Sequence, residues 1–317
     1  MTGRRIVDRL IRERDTAYGN GIYVPTQIQF AWNSNHMEGS TLTARQTAQL
    51  FATGTYTADR EGERVRPDDA IETRNHFTAF RWILDHVDEP VDHRMVCRLH
   101  AILKHGTMQA ADPGLNVGGY KRTPNVIGGL AQPVRTAMPE DVPRLMERLF
   151  GMLARLDDDP VTIARAHWMF ERIHPFSDGN GRVGRLVMFK ELLRIDALPF
   201  VIHDSFRDRY LNGLSRFPAE PGYLVDTLLF ERDLYREHIL LPAGGGNLDY
   251  TYNDRWDEHA YRRTTQPDDL ALARRIDQAA QPMIEQENER QARLLFGDPP
   301  SPDTPHQDGR PWAGPSL

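Results

Sequence analysis

Residues 174–185 (HPFSDGNGRVGR) carry the side chains best suited to chemistry in this sequence. His174 belongs to the residue type that titrates near neutral pH and serves as a general base, and Asp178 offers a hard oxygen ligand for Mg²⁺. Arg182 and Arg185 are three residues apart, so on a helix their guanidinium groups share one face and suit phosphate oxygens. This combination is typical of phosphoryl or nucleotidyl transfer.

The same segment lies between two predicted helices. Apolar periodicity predicts one helix over 160–173 and another from near Asn180, so Gly179, Asn180 and Gly181 fall at a loop-to-helix junction. Two glycines allow backbone N–H groups to converge there, and the start of a helix adds positive potential. We therefore expect an anion site in which these three residues cradle phosphates.

Residues 174–185 resemble the active-site motif of the Fic family, H-x-F-x-(D/E)-G-N-G-R-x-x-R, at every specified position. The resemblance implies that His174 deprotonates a Ser, Thr or Tyr hydroxyl of a target protein, which attacks the α-phosphate of ATP. It further implies that Asp178 holds Mg²⁺ and that Arg182 and Arg185 bind the β- and γ-phosphates. The expected activity is protein adenylyltransferase.

Two flanking stretches extend the resemblance towards a target-binding flap. Residues 119–129 (GYKRTPNVIGG), followed by 138–146, are similar to the flap of the family and its following helix. The resemblance implies that Asn125, Val126 and Ile127 dock the target segment as an added strand.

Beyond the motif, the resemblance reaches from about residue 70 to about residue 240. Residues 164–174 resemble the helix that leads into the motif. Tyr210 and Asn212 occupy positions at which the family often contacts the nucleoside, so we expect both to bind ATP.

A second short motif predicts autoinhibition. Residues 34–39 (SNHMEG) resemble the inhibitory motif of the family, (S/T)-x-x-x-E-(G/N), at the end of a predicted helix from about Thr26. Ser34 and Glu38 are four residues apart and share a helix face. The resemblance implies that Glu38 pairs with Arg185, and an arginine held by a carboxylate is not free to bind the γ-phosphate.

Helical periodicity dominates the chain and predicts an all-α fold, a Fic-type helical bundle with a small β-hairpin flap within residues 112–138. Besides the helices around the motif, the sequence predicts helices over 43–54, 67–87, 92–104, 139–156, 206–216 and 221–240.

Three regions follow from these patterns. Residues 1–66 form an N-terminal helical region that contains the inhibitory motif, and 67–242 form the catalytic core. Residues 243–317 are predicted to be a largely independent tail. It begins with the glycine-rich linker 243–246, continues as a helix-prone segment over 267–296 that Pro282 interrupts, and ends in a proline-rich disordered stretch from Asp298.

Composition narrows the function classes. The 317 residues carry a net charge of −6, which argues against a nucleic-acid partner, and no apolar run is long enough for a membrane span. The single cysteine, Cys97, excludes a disulfide framework and a cysteine zinc site, and we expect it to be a buried apolar residue. Without a signal-like N-terminus, we expect a cytoplasmic protein.

Two alternatives to an autoinhibited adenylyltransferase stay open. One is a Fic-type enzyme that transfers another phosphate-bearing group, or removes AMP from a target with Glu38 positioning water. The other is a nucleotide-sensing interaction module without turnover. The target protein, self-modification and a homodimer are likewise open.

Overall fold

The computed structural model describes residues 4–60, 64–127, 134–257 and 266–296. Within these ranges the protein is helical and has one two-stranded antiparallel sheet, as predicted. The α-helices are α1 (Ile6–Asp15), α2 (Tyr23–Met37), α3 (Ala44–Thr53), α4 (Pro67–Asp85), α5 (His93–Lys104), α6 (Val142–Leu153), α7 (Pro160–Ile173), α8 (Asn180–Arg194), α9 (Arg207–Arg216), α10 (Gly222–Tyr235) and α11 (Gln266–Phe296). None of these described helices combines the length and apolarity that a bilayer-spanning segment requires.

Local capping signals set several helix ends. Thr43 and Gln46 form the predicted capping box at the start of α3, which ends at Gly54 in the left-handed conformation. Asp92 caps α5 and Asp159 caps α7, each through a carboxylate oxygen that accepts a backbone N–H two or three residues into the helix.

Helix α8 lies at the centre of the bundle. Its residues from Asn180 to Leu193 are all buried, and it packs against α2, α4, α5 and α7. A helix that is apolar on most sides is stable only when it is enclosed, and Val183, Leu186 and Phe189 supply that apolar surface. Because α8 also carries the arginines of the motif, the fold holds these cations inside the protein rather than on its surface.

The flap is a short hairpin between α5 and α6. Strand β1 (Val126–Ile127) pairs antiparallel with β2 (Val134–Arg135), with Val126 opposite Arg135. The remaining predicted flap residues, 128–133, lie outside the described part of the chain.

The predicted linker at 243–246 is wrong, because this stretch packs on the body of the protein. The carbonyl of Ala243 accepts a hydrogen bond from Arg9 Nη2 (2.5 Å), and Gly245 is buried. A Cβ at Gly245 would lie 2.6 Å from the carbonyl oxygen of Leu240. The glycine there serves close backbone approach rather than flexibility.

Helix α11 also packs on the core, so the expectation of a largely independent tail is wrong through Ala280. Leu272, Ile276 and Ala280 are buried, and the helix continues through Pro282 instead of being interrupted by it. Two aspartates of α11 pair with arginines of α7 (Asp269 with Arg165, Asp277 with Arg172). The disorder predicted from Asp298 falls outside the described residues, and the boundaries at 66 and 242 stay predictions.

Candidate active site

The loop between α7 and α8 turns sharply at His174, which ends α7 with φ 52° and ψ 63°. Phe176 is buried and stacks on His100, with ring centroids 4.1 Å apart. The Asn180 side chain closes the loop, since its Oδ1 accepts from Phe176 N and its Nδ2 donates to Phe176 O, both at 2.8 Å. The side chain of Asn180 therefore shapes the phosphate loop.

His174 has the protonation state of a general base. Its Nδ1 lies 3.3 Å from the carbonyl oxygen of Glu171, so Nδ1–H donates there and Nε2 is left as the acceptor. Burial, with a contribution from the nearby Lys121, lowers the pKa of His174 to about 4. The imidazole is therefore neutral at pH 7 and able to take a proton from a hydroxyl.

Lys121 ties the flap to the active-site loop, a role that sequence patterns did not reveal. Its Nζ donates to Asn125 Oδ1 (2.7 Å) and to Thr136 Oγ1 (2.9 Å), and burial lowers its pKa to about 7. Asn125 in turn donates to Phe176 O (3.0 Å). Asn125, predicted to dock the target, thus has its side chain committed to the base of the flap; of Val126 and Ile127 the structure describes the backbone pairing alone.

Four side chains from three helices and the loop form the Arg182 cluster: Arg182, Asp178, Lys104 and Glu72. Arg182 donates to Glu72 (2.5 Å) and reaches Asp178 at 3.4 Å, while Lys104 pairs with both carboxylates. Burial alone would raise the pKa of Asp178, but Lys104 and Arg182 hold it well below its usual range. Arg182 and Asp178 were predicted from the sequence. Lys104 of α5 and Glu72 of α4 were not.

Asp178 has the character of a magnesium ligand that relies on a nucleotide. Among the described residues no group of three or more His, Cys, Asp or Glu converges on a metal position. Magnesium in nucleotide sites takes one or two carboxylates plus phosphate oxygens, and the Asp178 side chain is 41% exposed although Lys104 and Arg182 contact it. Asp178 would therefore suit a Mg²⁺ ion that also binds the phosphates of a nucleotide.

The second arginine of the motif is held by the end of α2, in what we call the Arg185 cluster: Arg185, Ser34 and Glu38. Arg185 Nε donates to Ser34 Oγ (2.9 Å), and Nη2 donates to Ser34 O (3.0 Å) and to Glu38 Oε1 (2.7 Å). Gly181 provides the space, because a side-chain Cβ there would collide with the Glu38 carboxylate. A carboxylate therefore lies at the first turn of α8, where the sequence predicted phosphates.

A cavity of about 300 Å³ adjoins this carboxylate. It is lined by Met37, Glu38, Trp168, Glu171, Arg172, His174, Gly181, Arg185, Arg207, Tyr210, Leu211, Leu214 and Ser215. Its size and largely apolar wall suit the nucleoside part of a nucleotide. The predicted base, one arginine, Gly181 and the glutamate of the predicted inhibitory motif thus converge on one space.

The two predicted nucleoside contacts differ. Tyr210 lines the cavity and its hydroxyl lies 2.6 Å from Nε2 of His167, a buried histidine whose pKa burial lowers to about 3. Asn212 does not line the cavity, because residues two apart on a helix point in different directions. Glu171, which also lines the cavity, was not predicted from the sequence. Burial raises the pKa of its carboxyl group to about 7.

Comparison with known proteins agrees with this geometry. Residues 90–192 match the model of the Fic/DOC family. It is similar to proteins named protein adenylyltransferase Fic from Drosophila grimshawi (28% identical over 194 residues) and Culex quinquefasciatus (30% over 202 residues). These alignments cover 59% of this chain and 37% and 36% of those proteins, so the chain spans about a third of their length.

Solved structures show the same fold. A Fic domain containing signaling protein from Bacteroides thetaiotaomicron superposes with a TM-score of 0.55 at 24% identity, over 86% of this chain and 95% of that one. A Fic family protein from Desulfovibrio desulfuricans gives a TM-score of 0.55 at 23% identity, over 73% and 71%. The predicted Fic-type helical bundle is confirmed.

Proposed function

We propose that this protein transfers AMP from ATP to a Ser, Thr or Tyr hydroxyl of a target protein and that Glu38 restrains the reaction. The observation that carries the proposal is the convergence of His174, Gly181, Arg185 and Glu38 on one cavity. The protein adenylyltransferases to which the chain is similar support AMP as the transferred group.

In the proposed reaction, His174 Nε2 accepts the hydroxyl proton as the oxygen attacks the α-phosphorus. A new oxygen–phosphorus bond forms, the bond from the α-phosphorus to the bridging oxygen breaks, and pyrophosphate leaves. Arg182 and Arg185 stabilise the charge that develops on the departing phosphates, because buried guanidinium groups act strongly at low dielectric. Mg²⁺ bound with ATP at Asp178 would neutralise phosphate charge.

Glu38 restrains this reaction by competition for Arg185. Two of the three guanidinium nitrogens, Nε and Nη2, are occupied by Ser34 and Glu38. An ATP molecule whose γ-phosphate lacks this arginine binds with its α-phosphate away from His174, and a misplacement of about 1 Å costs roughly 10²-fold in rate. Removal of Glu38 therefore frees the arginine for productive binding.

A second reaction that the same groups would support is hydrolytic removal of AMP from a modified target. Glu38 and His174 line one cavity, so Glu38 is placed to position a water molecule that attacks the phosphorus of the AMP group. The bond from that phosphorus to the target oxygen then breaks, and the target hydroxyl regains its proton. Release of AMP from a labelled target by the wild-type protein, and not by Glu38→Gly, would favour this alternative.

The test compares labels on different phosphates of ATP. Glu38→Gly protein is incubated with Mg²⁺, ATP labelled at the α- or the γ-phosphate, and, as a source of acceptors, a cell extract whose own kinases have been inactivated by heat. We expect protein-bound label from α-labelled ATP alone. Label from γ-labelled ATP would instead indicate phosphate transfer, and no label with ATP bound would indicate a nucleotide sensor.

The same assay assigns the base. His174→Ala is expected to lower label transfer by about 10³-fold while ATP affinity changes by less than about threefold, since general bases contribute roughly 10²–10⁴. His105→Ala, which removes an exposed imidazole of α5's C-terminal end, is the matched control. Equal activity of the two variants would remove His174 from the mechanism.

A further inference from the structure

A groove of about 680 Å³ lies beside the active-site cavity, between α7, the segment that follows α9, and α11. Four arginines line it, and we call it the arginine groove: Arg135 of β2, Arg172 of α7, Arg216 of α9 and Arg274 of α11. Asp277 and Glu220 are the acidic residues in its wall.

The arginine groove adjoins the active-site cavity. Trp168, Arg172 and Ser215 line both spaces. Arg172 precedes His174 by two residues in the chain. A polypeptide segment that lies in the groove therefore lies next to the cavity that the proposed base lines.

The charge of the groove is only partly compensated. Arg172 pairs with Asp277, and Arg216 lies 3.3 Å from Glu220, which leaves Arg135 and Arg274 without a matching carboxylate in the groove wall. The Nε atoms of Arg135 and Arg172 are buried and have no hydrogen-bond partner among the described residues. Buried donors of this kind gain most from an incoming anion, and arginine prefers planar carboxylates.

The groove also joins the flap to the C-terminal helix. Arg135 belongs to β2, and α11 packs beside that strand. A target segment held against the flap would consequently face Arg274 on α11.

We propose that the arginine groove binds acidic side chains of the target protein next to the hydroxyl that receives AMP, which makes α11 part of the target-binding surface. This inference rests on the proposed function. It gives the enzyme a substrate class, namely Ser, Thr or Tyr in an acidic sequence context.

Binding of two fluorescein-labelled 12-residue peptides tests the proposal. Both have a central Thr, flanked in one by glutamates and in the other by lysines, and fluorescence anisotropy measures their affinity for the full chain. Because the net charge is −6, non-specific attraction would favour the lysine peptide. We expect the glutamate peptide to bind more tightly.

Charge reversal locates the site. Arg274→Glu should weaken binding of the glutamate peptide at least tenfold, whereas Arg148→Glu makes the same charge change on the exposed side of α6 and should change it less than twofold. Equal affinity for the two peptides, or equal loss in the two variants, would overturn the proposal. Since binding is read without AMP transfer, a failure of the proposed function would show separately, as an absence of label.

Discussion

The two arginines of the active-site motif lie one turn apart on α8, and both are buried, yet the protein holds them differently. The Arg182 cluster joins two cations to two carboxylates, and its Glu72 side chain is 15% exposed. The Arg185 cluster depends on a single carboxylate at the end of α2, and its Glu38 side chain is 29% exposed, at a cavity. The first arrangement fixes Arg182 in place, and the second is built so that loss of one carboxylate frees Arg185; both arginines are the predicted phosphate-binding cations.

The largest expected difference between the clusters is in stability. Arg182→Ala leaves Lys104 as the one cation that the cluster offers to both Glu72 and Asp178, and it should lower the free energy of unfolding by about 3 kcal/mol, because a carboxylate short of its partner in a largely buried network is costly. Arg185→Ala should cost about 1 kcal/mol, since Glu38 can turn towards water. Urea denaturation of both variants measures the difference; equal losses would mean that the two arginines are held alike.

The two clusters should also differ in how their contribution to stability depends on pH. Burial favours protonated Glu38, but Arg185 and Arg182 outweigh it and lower its pKa below 4.5. For Asp178, Lys104 and Arg182 outweigh burial and hold the pKa far below 3.8. Each carboxylate stabilises the fold fully above its unfolded pKa, and this stabilisation is lost as pH falls through its folded pKa.

The difference in the free energy of unfolding between wild type and Glu38→Gln, which we call the stability gap, should therefore be constant from pH 7 to about pH 5. It should narrow below about pH 4.5. The gap for Asp178→Asn should persist to lower pH. Thermal unfolding at a series of pH values measures both gaps. If the Asp178→Asn gap closed first, the proposed order of the two carboxylates would be wrong.

A smaller effect is expected at the hydroxyl of the Arg185 cluster. Ser34→Ala removes the acceptor of Arg185 Nε and leaves the pair with Glu38 intact. One hydrogen bond is worth about 1 kcal/mol, so AMP transfer by otherwise wild-type protein should rise about fivefold. Ser40→Ala, whose Oγ accepts from Leu42 N, is the control and should leave the rate unchanged. A rate for Ser34→Ala no higher than this control would mean that Ser34 does not hold Arg185 back.

The sequence predicted the Arg185 cluster better than the Arg182 cluster for a physical reason. Ser34, Glu38 and Arg185 stand in short motifs whose order is readable along the chain. Glu72 and Lys104 have no such motif, because each lies on an ordinary amphipathic helix and meets Arg182 through tertiary packing alone. Helical periodicity and capping residues predicted the helices and their ends. They did not predict which side chains of different helices meet.

The C-terminal region was misread because glycine and proline have more than one structural use. Gly245 permits close approach to Leu240, and Pro282 lies within a continuous helix. Nothing in the sequence distinguishes Asp277 from a solvent-exposed aspartate. Its role comes from the packing of α11, which pairs it with Arg172. The family position of Asn212 predicts its helix but not the side of the helix that faces the cavity, which Asn212 does not line.

The most direct test of the account is the initial rate of AMP transfer from α-labelled ATP by wild type, Glu38→Gly and Glu38→Gln. Glu38 follows the last residue of α2 with φ −91°, a conformation that all three residues adopt. We expect both variants to transfer AMP at least tenfold faster than wild type, because each frees Arg185 for the γ-phosphate. Variants no faster than wild type would contradict the claim that Glu38 restrains catalysis by holding Arg185.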